Sequence, residues 1–90
     1  MSLNLSGTIT TGGVAQQLMG PVATKPYNGF VFQNTSANLM YLENSGQPAT
    51  TASMQVAAGI MYQSEPGEAP NAGLSVYCAT GASTFVCKVF

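Results

Sequence analysis

The chain is built from short apolar runs separated by polar or glycine-containing corners. Residues 28–44, NGFVFQNTSANLMYLEN, show both forms that these runs take. Phe30 and Phe32 alternate with Val31 and Gln33, the period-two pattern of a strand with one wet face. After the small polar knot Asn34-Thr35-Ser36-Ala37-Asn38 comes the unbroken block Leu39-Met40-Tyr41-Leu42, apolar on both faces. Apolar residues do not recur at helical spacing over any long window, except weakly in TASMQVAAGIMYQ, which Gly59 splits.

The strand signals run the length of the chain. Residues 3–5 and 8–10 are short β-type pieces. Residues 14–19 form a strand ending at Gly20-Pro21, with 22–24 continuing it across a bulge. A turn is expected at 26–29, where proline presets φ and Asn-Gly tolerates positive φ. Residues 30–33 and 39–43 read as a hairpin over the polar knot, and 44–52 as a loop. Two more strands follow at 53–57 and 60–64, then the polar loop 65–73, then a closing hairpin of 74–79 and 84–90 around Gly81. About eight short strands with frequent turns predict an all-β fold, a small antiparallel β-sandwich or jelly-roll-like barrel. Residues 1–11 read as an N-terminal arm or first strand, and 12–90 as a single sandwich domain.

Charge changes the picture. Charged residues make up 6% of the chain, against roughly a quarter in ordinary soluble domains. The whole set is Lys25, Lys88, Glu43, Glu65 and Glu68, for a net charge of -1. At 46% hydrophobic, the chain is not of disordered composition. A surface of Ser, Thr, Asn, Gln, Gly and Ala is readily desolvated. This points to a chain packed against other protein, because freely soluble domains normally keep charges to stay apart.

The same residues limit the chemistry. Phosphate binding needs clustered Lys or Arg, so nucleic acid is not an expected partner. No apolar run approaches the ~20 residues of a membrane span, and the N-terminal stretch lacks the basic and apolar regions of a secretory signal. With no histidine, no side chain stands in a recognisable position to activate a Ser, Thr or Cys nucleophile. Glu65 and Glu68 sit in a Pro/Gly loop, where solvation explains them. The chain is therefore expected to be no enzyme, with no catalytic residues, no cofactor and no metal site. Cys78 and Cys87 read as buried thiols acting as small hydrophobes; a hairpin loop of four residues would set them face to face and allow a cross-strand disulfide, which a chain without a secretory signal is less expected to keep. Tyr27, Tyr41, Tyr62 and Tyr77 read either as strand positions with one wet end or as a sugar-stacking patch. Asn4-Leu5-Ser6 and Asn34-Thr35-Ser36 match the glycosylation pattern but are read as turn residues.

What remains is apolar excess on second strand faces, in NLMYLE, GIMYQ and KVF. A two-layer sandwich needs only one apolar face per sheet, so a neighbouring subunit or host protein is expected to cover the other. Phe30, Phe32 and Tyr41 are assigned to the core. The candidate contact residues are Leu3, Leu5, Ile9, Met40, Leu42, Met61 and Phe90, with Leu3, Leu5 and Ile9 alternating as a strand-adding arm does.

GFVFQNTSANLMYLEN and VAAGIMYQSEPGEAPNAGLSVYCATGASTFVCKVF, over residues 28–90, resemble the small, charge-poor β-sandwich proteins that decorate or cement the heads of tailed bacteriophages. The resemblance implies a structural virion protein on the head surface. It would bind the major capsid protein, bridge capsid subunits and form homo-oligomers, with a trimer favoured. Similar hairpins occur in phage fibre, tail and baseplate modules, which leaves a receptor- or carbohydrate-binding module as the alternative.

Overall fold

The computed structural model describes residues 3–22, 27–65 and 69–90. They form nine strands: β1 (Leu3–Asn4), β2 (Gly7–Thr8), β3 (Gln16–Met19), β4 (Phe30–Asn34), β5 (Met40–Glu43), β6 (Met54–Val56), β7 (Met61–Gln63), β8 (Leu74–Cys78) and β9 (Thr84–Val89). Every pairing is antiparallel. Sheet A has the order β1-β9-β4-β7, with β2 also on β9; sheet B has the order β3-β8-β5-β6. The two sheets face each other over one core.

β1 and β2 are one broken strand. Between them, Leu5 N–H donates to the Cys87 carbonyl and Cys87 N–H donates to Ser6 Oγ (2.7 and 3.0 Å). A side chain thus bridges the gap in the ladder. Counting β1 and β2 together turns nine strands into eight, in the orders first-eighth-third-sixth and second-seventh-fourth-fifth. That is jelly-roll connectivity, two Greek keys folded into a two-sheet sandwich. Residues 3–8 therefore lie along β9 as a strand. Ile9 is 1% exposed and plugs the core, so it does not serve as an arm contact.

Strand placement follows the apolar pattern, but pairing does not follow sequence proximity. β4 and β5 lie in opposite sheets, as do β8 and β9. Neither is the expected hairpin; each pair is joined by an arch that crosses from one sheet to the other. Among the described strands, the neighbours in both chain and sheet are β5 and β6, joined over the loop 44–53. The turn expected at 26–29 and the extension to 24 lie partly outside the described residues.

Asn34 shows how an arch is held. It is fully buried at the end of β4. Its Nδ2 donates to the carbonyls of Asn38 and Val56, and its Oδ1 accepts from Ser36 N–H and Ser36 Oγ. All four hydrogen-bonding positions of the amide are used. The side chain supplies the polar partners that the backbone loses on leaving the ladder, and it ties β4, the arch and β6 together.

Phe30 and Phe32 fill the sheet A side of the core, where Phe32 stacks on Phe85 with ring centroids 5.6 Å apart. On sheet B the inward residues of β5 are Met40 and Leu42, at 0% and 1% exposure. This reverses the expected parity. Tyr41 faces outward and meets Tyr77 at 6.0 Å. Met40 and Leu42 face the core because their partners, Val56, Cys78 and Val76, are themselves inward.

Cys78 and Cys87 are buried free thiols on opposite sheets. Since β8 and β9 do not pair, the cross-strand route to a disulfide does not exist. Burial pushes the Cys87 thiol up to about 12.

Candidate functional site

The connections divide between two ends of the sandwich. At one end lie the residues joining β2 to β3 (9–15), β4 to β5 (35–39), β6 to β7 (57–60) and β8 to β9 (79–83). Hydrogen bonds knit these arches into a row. Ile9 N–H donates to Ser83 O, and Ala82 N–H to Ile9 O (2.8 and 2.9 Å). Asn38 Nδ2 donates to Ser83 Oγ (3.0 Å), and the Thr35 and Thr84 hydroxyls share a bond of 2.8 Å. Gly59 N–H donates to Asn34 O (2.8 Å).

Two glycines are required here. A Cβ on Gly12 would come within 2.5 Å of the Ala79 carbonyl oxygen and 2.7 Å of Gly81 N, so only glycine lets these arches touch. Residues 57–60 form a turn closed by Ile60 N–H on Ala57 O (3.0 Å), with Gly59 at φ 76°. That positive φ in the third position is the type II requirement for glycine.

This arch end carries no charged side chain among the described residues. It does carry four of the six large hydrophobics that the described surface exposes: Val14, Leu39, Ile60 and Met61, at 56%, 40%, 53% and 57%. The pairing of Met40 with Val56 sets Leu39 beside the start of the 57–60 turn. The described charges lie elsewhere. Glu43 ends β5 ahead of the 44–53 loop, Glu65 follows β7, and Lys88 pairs with Asn4 and Val31. Lys25 and Glu68 lie outside the described residues.

The candidate contact residues separate into three groups. Leu3, Met61 and Phe90 are exposed, but Leu3 and Phe90 sit at the opposite end from Met61, beside Val89 and Gly29. Leu5 is half-buried against the core. Ile9, Met40 and Leu42 are inside it, so they meet no neighbour in this fold. Sequence reasoning missed Val14, Leu39 and Ile60. Each stands next to a Gly-containing or Asn-containing corner, where an apolar residue has no strand face to bury it.

The remaining surface holds little reactive chemistry. The described residues contain no cluster of three His, Cys, Asp or Glu that could hold a metal ion. A cleft of about 220 Å³ on the outer face of sheet B is lined by Ala15, Gln17, Met19, Gln47, Leu74 and Ser75, none of them titratable. The loop 44–53 folds over that face: Ser75 Oγ accepts from Ala49 N–H and donates to Gln47 O. Glu43 accepts from Ser45 Oγ and Ser53 Oγ at 2.6 and 2.8 Å, and these bonds hold its carboxyl below the ordinary range. The tyrosines do not share one patch. Tyr27 is buried, Tyr62 packs inward on Phe30 at 5.8 Å, and only Tyr41 and Tyr77 meet on an outer face.

No family model matches the chain, and neither a curated protein nor a solved structure matches it.

Proposed function

We propose that this chain is a structural virion protein that decorates the outside of a phage head, binds the major capsid protein and stabilises the shell by bridging its subunits. One observation carries the reading: among the described residues the arch end is free of charge, and it presents Val14, Leu39, Ile60 and Met61 to solvent. Such an end costs little to desolvate, and exposed apolar groups are what a protein contact uses. The low charge of the whole chain supports the same reading. A jelly roll by itself supports no particular activity. On a lattice, many copies make modest contacts act together, so each contact need not be strong.

The test is sedimentation with undecorated phage heads. The protein is expected to add to saturation at a fixed ratio of copies to capsid subunits and to raise the temperature at which the heads break. Heads that sediment without the protein at saturating input would overturn the proposal.

A second reading, a receptor- or carbohydrate-binding module of a fibre, tail or head spike, draws on the outward Tyr41–Tyr77 pair near the Gln17 cleft. It expects a glycan-array signal that Tyr77→Ala removes; an array without signal eliminates it.

A further inference from the structure

Among the described residues the outer edge of β7 is an unfilled strand site, and its register says what fits. Asn34 N–H donates to Ile60 O and Ser64 N–H donates to Phe30 O, both at 3.0 Å, while Phe32 pairs with Tyr62. In an antiparallel ladder the bonded positions alternate. The Ile60 carbonyl, both backbone groups of Tyr62 and the Ser64 N–H therefore turn toward β4. Met61 and Gln63 turn theirs away, and β7 has no described strand on that side.

The other edges are blunted. β1 and β2 are interrupted at Ser6, β3 carries a bulge between Gln17 and Met19, and on β6 the Val56 carbonyl already accepts from Asn34. Edge strands are normally protected by charge, proline or a bulge. From residue 54 to residue 64 there is no charged residue and no proline, and β7 is regular. Its shortness is its one protection.

We propose that β7 pairs antiparallel with β7 of a second copy of this chain, about a two-fold axis at Tyr62. Met61 and Gln63 are the two open positions, and they lie symmetrically about Tyr62. Met61 then exchanges both backbone bonds with Gln63 of the partner subunit, and Gln63 with Met61 of the partner subunit. The four bonds join the two A sheets into one continuous sheet. The uncharged segment brings no like charges together across the axis, where each residue lies near its own copy. The exposed Met61 and Ile60 side chains gain cover from the same pairing. The contact is small beside the ~1,000 Å² of stable interfaces, so it forms at high local concentration. It stands on backbone geometry and does not rest on the virion reading.

The test follows the full chain by amide exchange and by sedimentation as concentration rises from the low micromolar to the millimolar range. The result expected is a monomer–dimer equilibrium in which the Met61 and Gln63 amides gain protection while that of Tyr62, already bonded to β4, does not change. Gln63→Pro removes an outward N–H that the β4 ladder does not use, as edges tolerate. It should weaken the dimer about tenfold or more and leave the monomer's thermal midpoint in place. Met61→Lys, a gatekeeper charge, should do the same. A chain that stays monomeric throughout, a trimer, a dimer with residues 61 and 63 unprotected, or unchanged association of Gln63→Pro would each overturn the pairing.

Discussion

Asn34→Asp replaces one amide nitrogen with an oxygen and changes almost nothing else in size. In the folded chain that nitrogen donates to Val56 O at 2.8 Å and to the Asn38 carbonyl, at a residue with no solvent exposure. The substitution takes the side-chain donor from the buried Val56 carbonyl, leaves the Asn38 carbonyl with the Ser36 hydroxyl at 3.2 Å, and turns a carboxyl toward both. One orphaned buried acceptor costs about 1–3 kcal/mol, which sets the direct loss. That is a substantial part of the total stability of a domain of this size, about 5–15 kcal/mol. The bonds from Ser36 to Oδ1 survive, so the fold should persist under stabilising conditions. Burial and two facing carbonyl oxygens disfavour the charged carboxylate, so the folded-state pKa of the new carboxyl lies above its unfolded value of about 3.9. The native state then holds the extra proton, and stability falls as pH rises through that window. Urea unfolding followed by tyrosine fluorescence, at several pH values, measures both effects. The deficit relative to wild type should widen from about pH 4 toward neutrality. A variant within about 1 kcal/mol of wild type across that range would refute the view that this amide holds the arch.

Parity in β5 is checked by methionine truncation: Met40→Ala should cost about 2–5 kcal/mol by chemical denaturation, while Met61→Ala should stay within about 0.5 kcal/mol. Gly12→Ala forces a Cβ against the Ala79 carbonyl and should lower the thermal midpoint, whereas an alanine at Gly7, with only ordinary contact to Phe85, should be far milder. The Cys87 thiol, pushed up to about 12, should resist thiol reagents in the native state and react at the rate of opening. Because the neutral thiol is favoured by folding, stability should fall as pH climbs above the ordinary thiol value of 9.0. Ser45→Ala should raise the Glu43 pKa toward its ordinary value in an NMR titration. In the wild type, the stability that the depressed carboxylate contributes is present above the ordinary value and lost as pH falls through the folded one.

The strands were legible because alternation survives in single segments. Phe30-Val31-Phe32-Gln33 and Phe85-Val86-Cys87-Lys88 announce both their extent and their inner face. Leu39-Met40-Tyr41-Leu42 does not, since four consecutive apolar residues carry no parity. There the partners Val56 and Cys78, distant in sequence, choose the face. Pairing was hidden for a related reason. The connections 35–39 and 79–83 have hairpin lengths, and it is the pairing of β4 with β9 in one sheet and of β5 with β8 in the other, between residues far apart in sequence, that shows they cross. The contact surface was half legible. Met61 stood out as an apolar residue on a second strand face. Val14, Leu39 and Ile60 became visible only once four arches separated in sequence met at one end.

The central claim is that this uncharged arch end is where the molecule meets protein. A charge scan of the two ends tests it most directly, with head binding by sedimentation as the readout and circular dichroism as the check on folding. Ile60→Glu and Leu39→Glu place one charge at the arch end; Gln47→Glu places the same charge on the loop at the opposite end. The account predicts that both arch variants stay folded and lose binding, while Gln47→Glu binds as wild type does. Folded arch variants that still saturate the heads, or loss of binding only in Gln47→Glu, would contradict it.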